Sequence, residues 1–114
     1  MVIRKGEIWW ATLPESLGSE PACRRPVVIA QSSAINASAI HTVIVIVITK
    51  NLRLGTAPGN VVLPKKISGL KYDSVVNVSQ VLTLDKSRLT ESVCVLPQNI
   101  ISKIEAGLRV VLDL

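Results

Sequence analysis

The segment from 41 to 49, with the sequence HTVIVIVIT, constrains the fold of this chain more than any other. Residues 43 to 48 are all Val or Ile, and such β-branched side chains favour extended strands. A half-exposed strand would alternate between apolar and polar residues, whereas an unbroken apolar run is typical of a strand buried on both faces. The run is far too short to cross a bilayer. We therefore expect the chain to fold around a central strand that is covered on both sides.

Further β-type segments surround this strand, and the end of the chain changes period. Strands are predicted at 7–13, 26–31, 60–64, 73–85 and 92–96, and 32–40 is interpreted as a loop or short helical turn. In residues 97–112 one helical face carries the apolar side chains Ile100, Ile101, Ile104, Leu108, Val111 and Leu112. Pro97 suits the first helical position. These elements predict a mainly β fold, a small curved sheet or open barrel closed by a C-terminal amphipathic helix.

The composition indicates one domain, 1–114, with an aliphatic core. Almost half of the residues (48%) are hydrophobic, yet the chain has only two Trp, one Tyr and no Phe. Val, Ile and Leu must therefore fill the core. In so small a domain, this much aliphatic surface favours cover by a second copy of the chain, and we expect a homodimer.

The charge of the chain indicates an anionic partner. The net charge is +5 and the sequence pI is about 9.6, which is compatible with nucleic acid, an acidic protein or a membrane surface. The start, MVIRKGEIWW, has no signal-peptide pattern, so a cytoplasmic location is expected. Cys23 and Cys94 are isolated in the sequence and are interpreted as free thiols.

Several classes of catalytic site are absent from the sequence. There is no phosphate-binding G-x-x-x-x-G-K loop, no G-x-G-x-x-G and no H-E-x-x-H. His41 is the only histidine, which excludes a nuclease that uses two histidines as acid and base. The acidic residues are scattered without the spacing of a two-metal site, and there is no Cys-x-x-Cys. Neither a metal nor a cofactor is therefore expected.

The candidate site residues are basic and hydroxylic. Arg24 and Arg25 precede the second predicted strand, and Thr49 ends the central strand, with Lys50 and Arg53 just beyond it. If these strands are neighbours, both clusters lie at one end of the sheet. A guanidinium and a hydroxyl that meet there would offer several hydrogen-bond donors to phosphate oxygens.

The two arginines are not expected to be equivalent. Pro26 biases Arg25 toward an extended backbone, and successive strand residues point to opposite faces. Arg25 then shares a face with Val27, and Arg24 points the other way. The alternative is structural: Arg25 pairs with a loop carboxylate such as Glu20, and Thr49 is an ordinary strand residue.

Two further features bear on a binding surface. Trp9 and Trp10 cannot both face the core of a strand, so one of them is a candidate for an interface or a stacking surface. The loop from 14 to 25 is long for a hairpin and rich in Pro, Gly, Ser and Glu. It is either a functional lid or a solvated excursion.

Seven segments together resemble one known family over essentially the whole chain. They are RKGEIWWATL, GSEPACRRPVVIAQ, VITKNLRL, APGNVVLP, DSVVNVSQVLTLD, KSRLTE and GLRVVLDL. In order and spacing they resemble the MazF/PemK family of toxin endoribonucleases from bacterial toxin–antitoxin pairs. The resemblance implies a CcdB/PemK-type, SH3-like barrel, a homodimer and metal-independent cleavage of single-stranded RNA at a short preferred sequence. It also implies a cognate antitoxin with an acidic flexible tail, and no membrane partner.

The resemblance also implies roles for individual residues. Arg25 and Thr49 are catalytic; the loop with Gly18, Ser19 and Glu20 borders the RNA groove; Gln80 is associated with base contacts. Apart from the resemblance, the positive charges of Arg24, Lys50 and Arg53 are assigned only to non-specific attraction of phosphates.

The chain departs from the family pattern in two places. Ser32 and Ser33 replace a usual Asn-Asp, and Leu82 replaces a usual arginine. Two other functions stay open, namely a DNA gyrase poison of the CcdB branch and a non-catalytic RNA- or protein-binding barrel. CcdB relatives end in Trp-Gly-Ile, whereas this chain ends in VVLDL.

Overall fold

The computed structural model describes residues 1–14 and 23–114, and in these residues six strands form one sheet. The strands are β1 (Glu7–Leu13), β2 (Cys23–Ile29), β3 (Thr42–Thr49), β4 (Val61–Leu63), β5 (Ser74–Asp85) and β6 (Leu89–Val95). The helices are α1 (Ser33–Asn36), α2 (Lys65–Ser68) and α3 (Gln98–Leu112), and short 3₁₀ turns span Leu52–Thr56 and Lys86–Arg88.

The sheet is antiparallel, and its order is β4-β5-β3-β2-β1-β6. The central apolar segment forms β3, between β5 and β2, as predicted. Register shifts interrupt the β3–β5 and β1–β6 pairings. Such irregularities bend strands and increase their twist, so the sheet curls rather than lying flat.

Each face of the sheet buries its own apolar core. The helix-side core joins α3 to the sheet and includes Ile8, Val28, Ile46, Ile48, Ile100 and Ile104. The strand-side core lies on the other face of the sheet and includes Trp9, Ala11, Val27, Val43, Val45 and Val47. Alternate residues of β3 enter the two cores, which confirms the prediction of a strand buried on both faces. Ile44 is the exception at 39% exposed, because the helix-side core extends along β3 only to Ile46.

Helix α3 packs with the first part of its predicted apolar face. Ile100 and Ile104 are buried, whereas Val111 and Leu112 in the last turn are exposed in the single chain. Pro97 does not occupy the first helical position. It precedes the helix with an extended backbone (φ −61°, ψ 150°), and α3 begins at Gln98. The prediction was wrong by one residue because the proline carbonyl already accepts the first helical hydrogen bonds.

Strand β2 begins three residues earlier than predicted. Arg24 and Arg25 pair with Thr12 and Ala11 of β1, so both arginines belong to the sheet rather than to the loop before it. This pairing fixes the direction of each arginine side chain. None of the helices in residues 1–14 and 23–114 is long and apolar enough to cross a membrane.

Candidate active site

A cleft of about 560 Å³ opens where the beginning of β2 lies beside the end of β3. It is lined by residues 23–26, 48–51 and 70–72, with Trp10 and Ser74, and is called the strand-end cleft below. The paired residues of β2 and β3 end at Val27 and Val47. Beyond them Pro26 has no N–H to donate to a neighbouring strand, so the local sequence favours separation of the strands at this point.

Arg25 and Thr49 both line the strand-end cleft, as the sequence predicted for neighbouring strands. Val27 lies opposite Val47, and the same antiparallel register carried two residues further places Arg25 level with Thr49. Alternation puts both side chains on the face of the strand-side core. Both residues are half-buried. A guanidinium and a hydroxyl therefore reach the same end of the sheet from adjacent strands.

Hydrogen bonds orient both of these side chains. The Nε–H of Arg25 donates to Sγ of Cys23 over 3.3 Å. The backbone N–H of Asn51 donates to Oγ1 of Thr49 over 3.1 Å. A hydroxyl has one donor and two acceptor positions, so this bond uses an acceptor position and leaves the hydroxyl proton to be donated. The pair can thus present donors to an anion in the cleft.

Arg24 lines the same cleft but has different surroundings. Its guanidinium carbon lies 4.5 Å from the centroid of the Trp10 ring, and its Nη2 lies 2.7 Å from Oε2 of Glu91. Both members of this ion pair are well exposed, with side-chain exposures of 49% and 65%. Arg24 is on the face opposite to Arg25 because they are adjacent in a strand. The ion pair with Glu91 partly balances the charge of Arg24.

The opposite wall of the cleft is formed by Lys50, Lys71 and Tyr72. Nζ of Lys50 lies 4.9 Å from the centroid of the Tyr72 ring, and Nζ of Lys71 lies 5.7 Å from it. Both distances are within the range of cation–π interactions. With the two arginines, four cationic side chains line the cleft, and the described part of its lining contains no Asp or Glu.

The two tryptophans have separate roles. Trp9 is buried in the strand-side core at 8% exposed, and its Nε1–H donates to Oε1 of Glu7 over 3.1 Å. Trp10 is half-buried, lies on the other face of β1 and lines the strand-end cleft. The tryptophan at the candidate binding surface is therefore Trp10.

Sequence reasoning missed Lys71 and Tyr72. Their position follows from the pairing of β3 with β5, the two longest strands, because Thr49 lies opposite Val75. Antiparallel pairing brings the residues just before β5 next to those just after β3. A correct assignment of β3 and β5 as neighbours would have predicted this wall.

Other predicted site residues lie outside the cleft lining or outside the described residues. Arg53 is exposed in the 3₁₀ turn after β3, and Gln80 is exposed on β5, five residues from Val75. Oε1 of Gln80 accepts from Nδ2 of Asn77 over 3.0 Å. The predicted groove-bordering segment Gly18, Ser19 and Glu20 lies outside the described residues. In the part of the chain that the structure describes, no three His, Cys, Asp or Glu residues form a group that could hold a metal ion.

Comparisons of the sequence with known proteins find one family. A family model described as "PemK-like, MazF-like toxin of type II toxin-antitoxin system" matches residues 4–112. Endoribonuclease MazF6 of Mycobacterium tuberculosis (strain ATCC 25618 / H37Rv) is 49% identical over 114 residues and covers 100% of both chains. Endoribonuclease EndoA of Bacillus subtilis (strain 168) is 32% identical over 114 residues, which is 100% of this chain and 97% of that protein.

Solved structures share the fold at lower identity. MazF (Form-I) from Deinococcus radiodurans matches with a TM-score of 0.81 and 22% identity, covering 100% of this chain and 99% of that one. An endoribonuclease in complex with its cognate antitoxin from Mycobacterial species matches with a TM-score of 0.78 and 21% identity, covering 98% and 96%. The predicted fold, a mainly β barrel with a C-terminal helix, is confirmed.

Proposed function

We propose that this chain, which belongs to the PemK-like, MazF-like toxin family of type II toxin–antitoxin systems, is an endoribonuclease that cleaves single-stranded RNA at a short preferred sequence. The observation that carries the proposal is the placement of Arg25 and Thr49 in one cleft with two lysines and a second arginine. Such a cluster attracts a phosphate backbone, and its donors can bind the phosphate that reacts.

The reaction needs only the RNA itself as nucleophile. The 2′-oxygen attacks the adjacent phosphorus, the bond from phosphorus to the 5′-oxygen breaks, and the electron pair of that bond stays on the leaving oxygen. One proton is lost from the 2′-hydroxyl and one is gained by the 5′-oxygen. The products are a 2′,3′-cyclic phosphate and a 5′-hydroxyl. No water is consumed, and the proposed mechanism uses no metal ion.

Arg25 and Thr49 stabilise the charge that develops in this reaction. Extra negative charge builds on the phosphoryl oxygens, and preorganised donors at that position lower the barrier. The guanidinium fork of Arg25 matches two phosphoryl oxygens, and the Thr49 hydroxyl donates a further hydrogen bond. A guanidinium has a pKa far above neutral pH and stays protonated, so it is poorly matched to general-base catalysis at pH 7. Arg25 is therefore assigned to charge stabilisation.

The surrounding residues bind the rest of the RNA. Arg24, Lys50 and Arg53 attract phosphates without regard to sequence. By family resemblance, Ser19 and Glu20 border the groove. Gln80, by the same resemblance, contacts a base; its carbonyl oxygen accepts from Asn77, which leaves its amide N–H groups for that contact.

The chain acts as a single domain, 1–114, within a homodimer in the cytoplasm, inhibited by a cognate antitoxin. The exposed apolar residues of the last turn of α3, Val111 and Leu112, support cover by another chain. The four cations of the strand-end cleft support inhibition by an acidic flexible tail, which would compete with RNA for them.

The test is incubation of the protein with a mixture of single-stranded RNAs in excess EDTA, followed by mapping of the cut ends. The expected result is cleavage that survives chelation, leaves 5′-hydroxyl ends, and disappears when the ribose before the cut is 2′-deoxy. Cleavage of the deoxy substrate would contradict the mechanism. An intact RNA pool would favour the gyrase poison or the non-catalytic barrel instead.

A further inference from the structure

Two of the three aromatic residues of this chain line the strand-end cleft. The chain contains two Trp, one Tyr and no Phe, and Trp10 and Tyr72 both contribute to the lining. Each ring has a cationic side chain over it, Arg24 on Trp10 and Lys50 on Tyr72. Proteins that bind single-stranded RNA combine rings that stack on bases with cations that follow the phosphates. This pairing of rings and cations points to a nucleobase in the cleft.

Tyr72 is the more accessible of the two rings. Trp10 is half-buried and packs against the helix-side core. Tyr72 is 51% exposed and belongs to neither core. An incoming base therefore reaches Tyr72 without displacing core side chains.

The backbone that carries Tyr72 is held in place. The Ser74 hydroxyl donates to the carbonyl of Tyr72 over 3.0 Å, and Oδ1 of Asp73 accepts from the backbone N–H of Lys65 over 2.9 Å. Leu70 and Ser74 on either side are buried, at 9% and 2% exposed. A ring on such an anchored turn loses little conformational entropy when it binds, which favours a stacking role.

Tyr72 also lies next to the proposed reaction centre. Val75 is paired with Thr49, and Tyr72 is three residues before Val75 in the same segment. Lys50 directly follows Thr49, and its Nζ is 4.9 Å from the Tyr72 centroid. A phosphate held by Arg25 and Thr49 thus has its neighbouring nucleotide beside the Tyr72 ring.

We propose that Tyr72 is the stacking platform for a nucleobase that adjoins the cleaved phosphate, with Lys50 and Lys71 binding the phosphates next to that base. This inference rests on the proposed endoribonuclease function. Because every base has a π-face, stacking on Tyr72 fixes the position of the RNA rather than the identity of the base. Tyr72 is a positioning residue that improves alignment of the 2′-hydroxyl for attack.

The test uses an RNA that contains the mapped cut site with a 2′-O-methyl ribose there, so that it binds without being cleaved. Wild type, Tyr72→Phe and Tyr72→Leu are titrated with this RNA and with versions that lack one base at a time. We expect Tyr72→Phe to bind within about twofold of wild type, and Tyr72→Leu about 5- to 160-fold more weakly. Removal of one base next to the cut should weaken RNA binding by the wild type by a similar factor. The same removal should leave RNA binding by Tyr72→Leu unchanged.

The inference is overturned if Tyr72→Leu binds like Tyr72→Phe, or if it keeps the wild-type response to every missing base. Thermal unfolding of each variant controls for loss of fold, and Tyr72→Gln provides a second ring-less variant. A wild-type protein that cleaves no RNA refutes the proposed function itself. Wild-type cleavage with an unchanged base-removal pattern in Tyr72→Leu refutes only the stacking.

Discussion

Replacing Glu91 with glutamine should increase the affinity of this protein for single-stranded RNA. The Glu91 carboxylate lies 2.7 Å from Nη2 of Arg24, a residue that lines the strand-end cleft. An RNA phosphate that binds Arg24 through Nη2 competes with this carboxylate. Glutamine is nearly isosteric but uncharged, so it competes less for the guanidinium while leaving the contact between Arg24 and Trp10 in place.

The size of the gain follows from the exposure of the pair. With side-chain exposures of 49% and 65%, the ion pair is a surface pair. Such pairs contribute about 0.2–1 kcal/mol, which corresponds to a decrease in Kd of about 1.4- to 5-fold when the competitor is removed. The net charge of the chain also rises by one, and this raises the affinity for any polyanion.

Glu105→Gln is the matched control, because it changes the net charge equally. Glu105 lies on α3, pairs with Lys5 and is outside the cleft lining. Kd for an uncleavable RNA is measured for both variants at low and high salt. Glu91→Gln should bind more tightly than Glu105→Gln, and the difference should vanish when Arg24 is also replaced by glutamine. Equal affinities for the two variants, or a gain that persists without Arg24, would show that Glu91 does not compete with RNA for Arg24.

Three other predictions address the hydroxyl, the helix packing and the pH dependence of stability. Thr49→Val should lower the single-turnover cleavage rate by about two to three orders of magnitude, and Thr49→Ser should restore most of it, because only the serine keeps a donor. Gly107→Ala should lower the free energy of unfolding in urea by about 1–3 kcal/mol, since its Cβ would clash with the Gly59 carbonyl; an unchanged value would contradict the observed close packing. The Lys5 ammonium, by hydrogen bonding, lowers the pKa of Glu105, so Glu105→Gln should cost about 0.2–1 kcal/mol of stability at pH 7. The stability difference between wild type and Glu105→Gln should shrink as the pH falls below the ordinary pKa of a glutamate. It should be gone once the pH is below the lowered pKa of Glu105 in the folded protein. Denaturation curves at neutral and acid pH test this.

The sequence predicted the elements whose signal is local. The unbroken β-branched run identified β3, and the change of period identified α3. The side on which Arg25 lies followed from strand alternation alone, because Pro26 keeps the backbone extended. These features depend on residues that are close in the chain, so pattern reasoning could reach them.

The parts of the site that were missed depend on long-range pairing. Arg24 and Glu91 are 67 residues apart in sequence, and no local pattern indicates that they meet. The wall formed by Lys71 and Tyr72 depends on the pairing of β3 with β5, which the apolar pattern does not specify. The early start of β2 likewise depends on the partners that β1 supplies to Arg24 and Arg25. In each case a tertiary contact decided the outcome.

In the proposed mechanism Arg25, and not its neighbour Arg24, binds the reacting phosphate through its guanidinium fork. The most direct measurement is the single-turnover cleavage rate of one mapped RNA by Arg25→Lys and Arg24→Lys, at saturating protein. Both variants keep the charge and lose the fork, so they differ only in position. We expect the rate to fall about 100- to 1,000-fold for Arg25→Lys and to stay within about fivefold of wild type for Arg24→Lys. Equal rates for the two variants, or a near-normal rate for Arg25→Lys, would contradict the account.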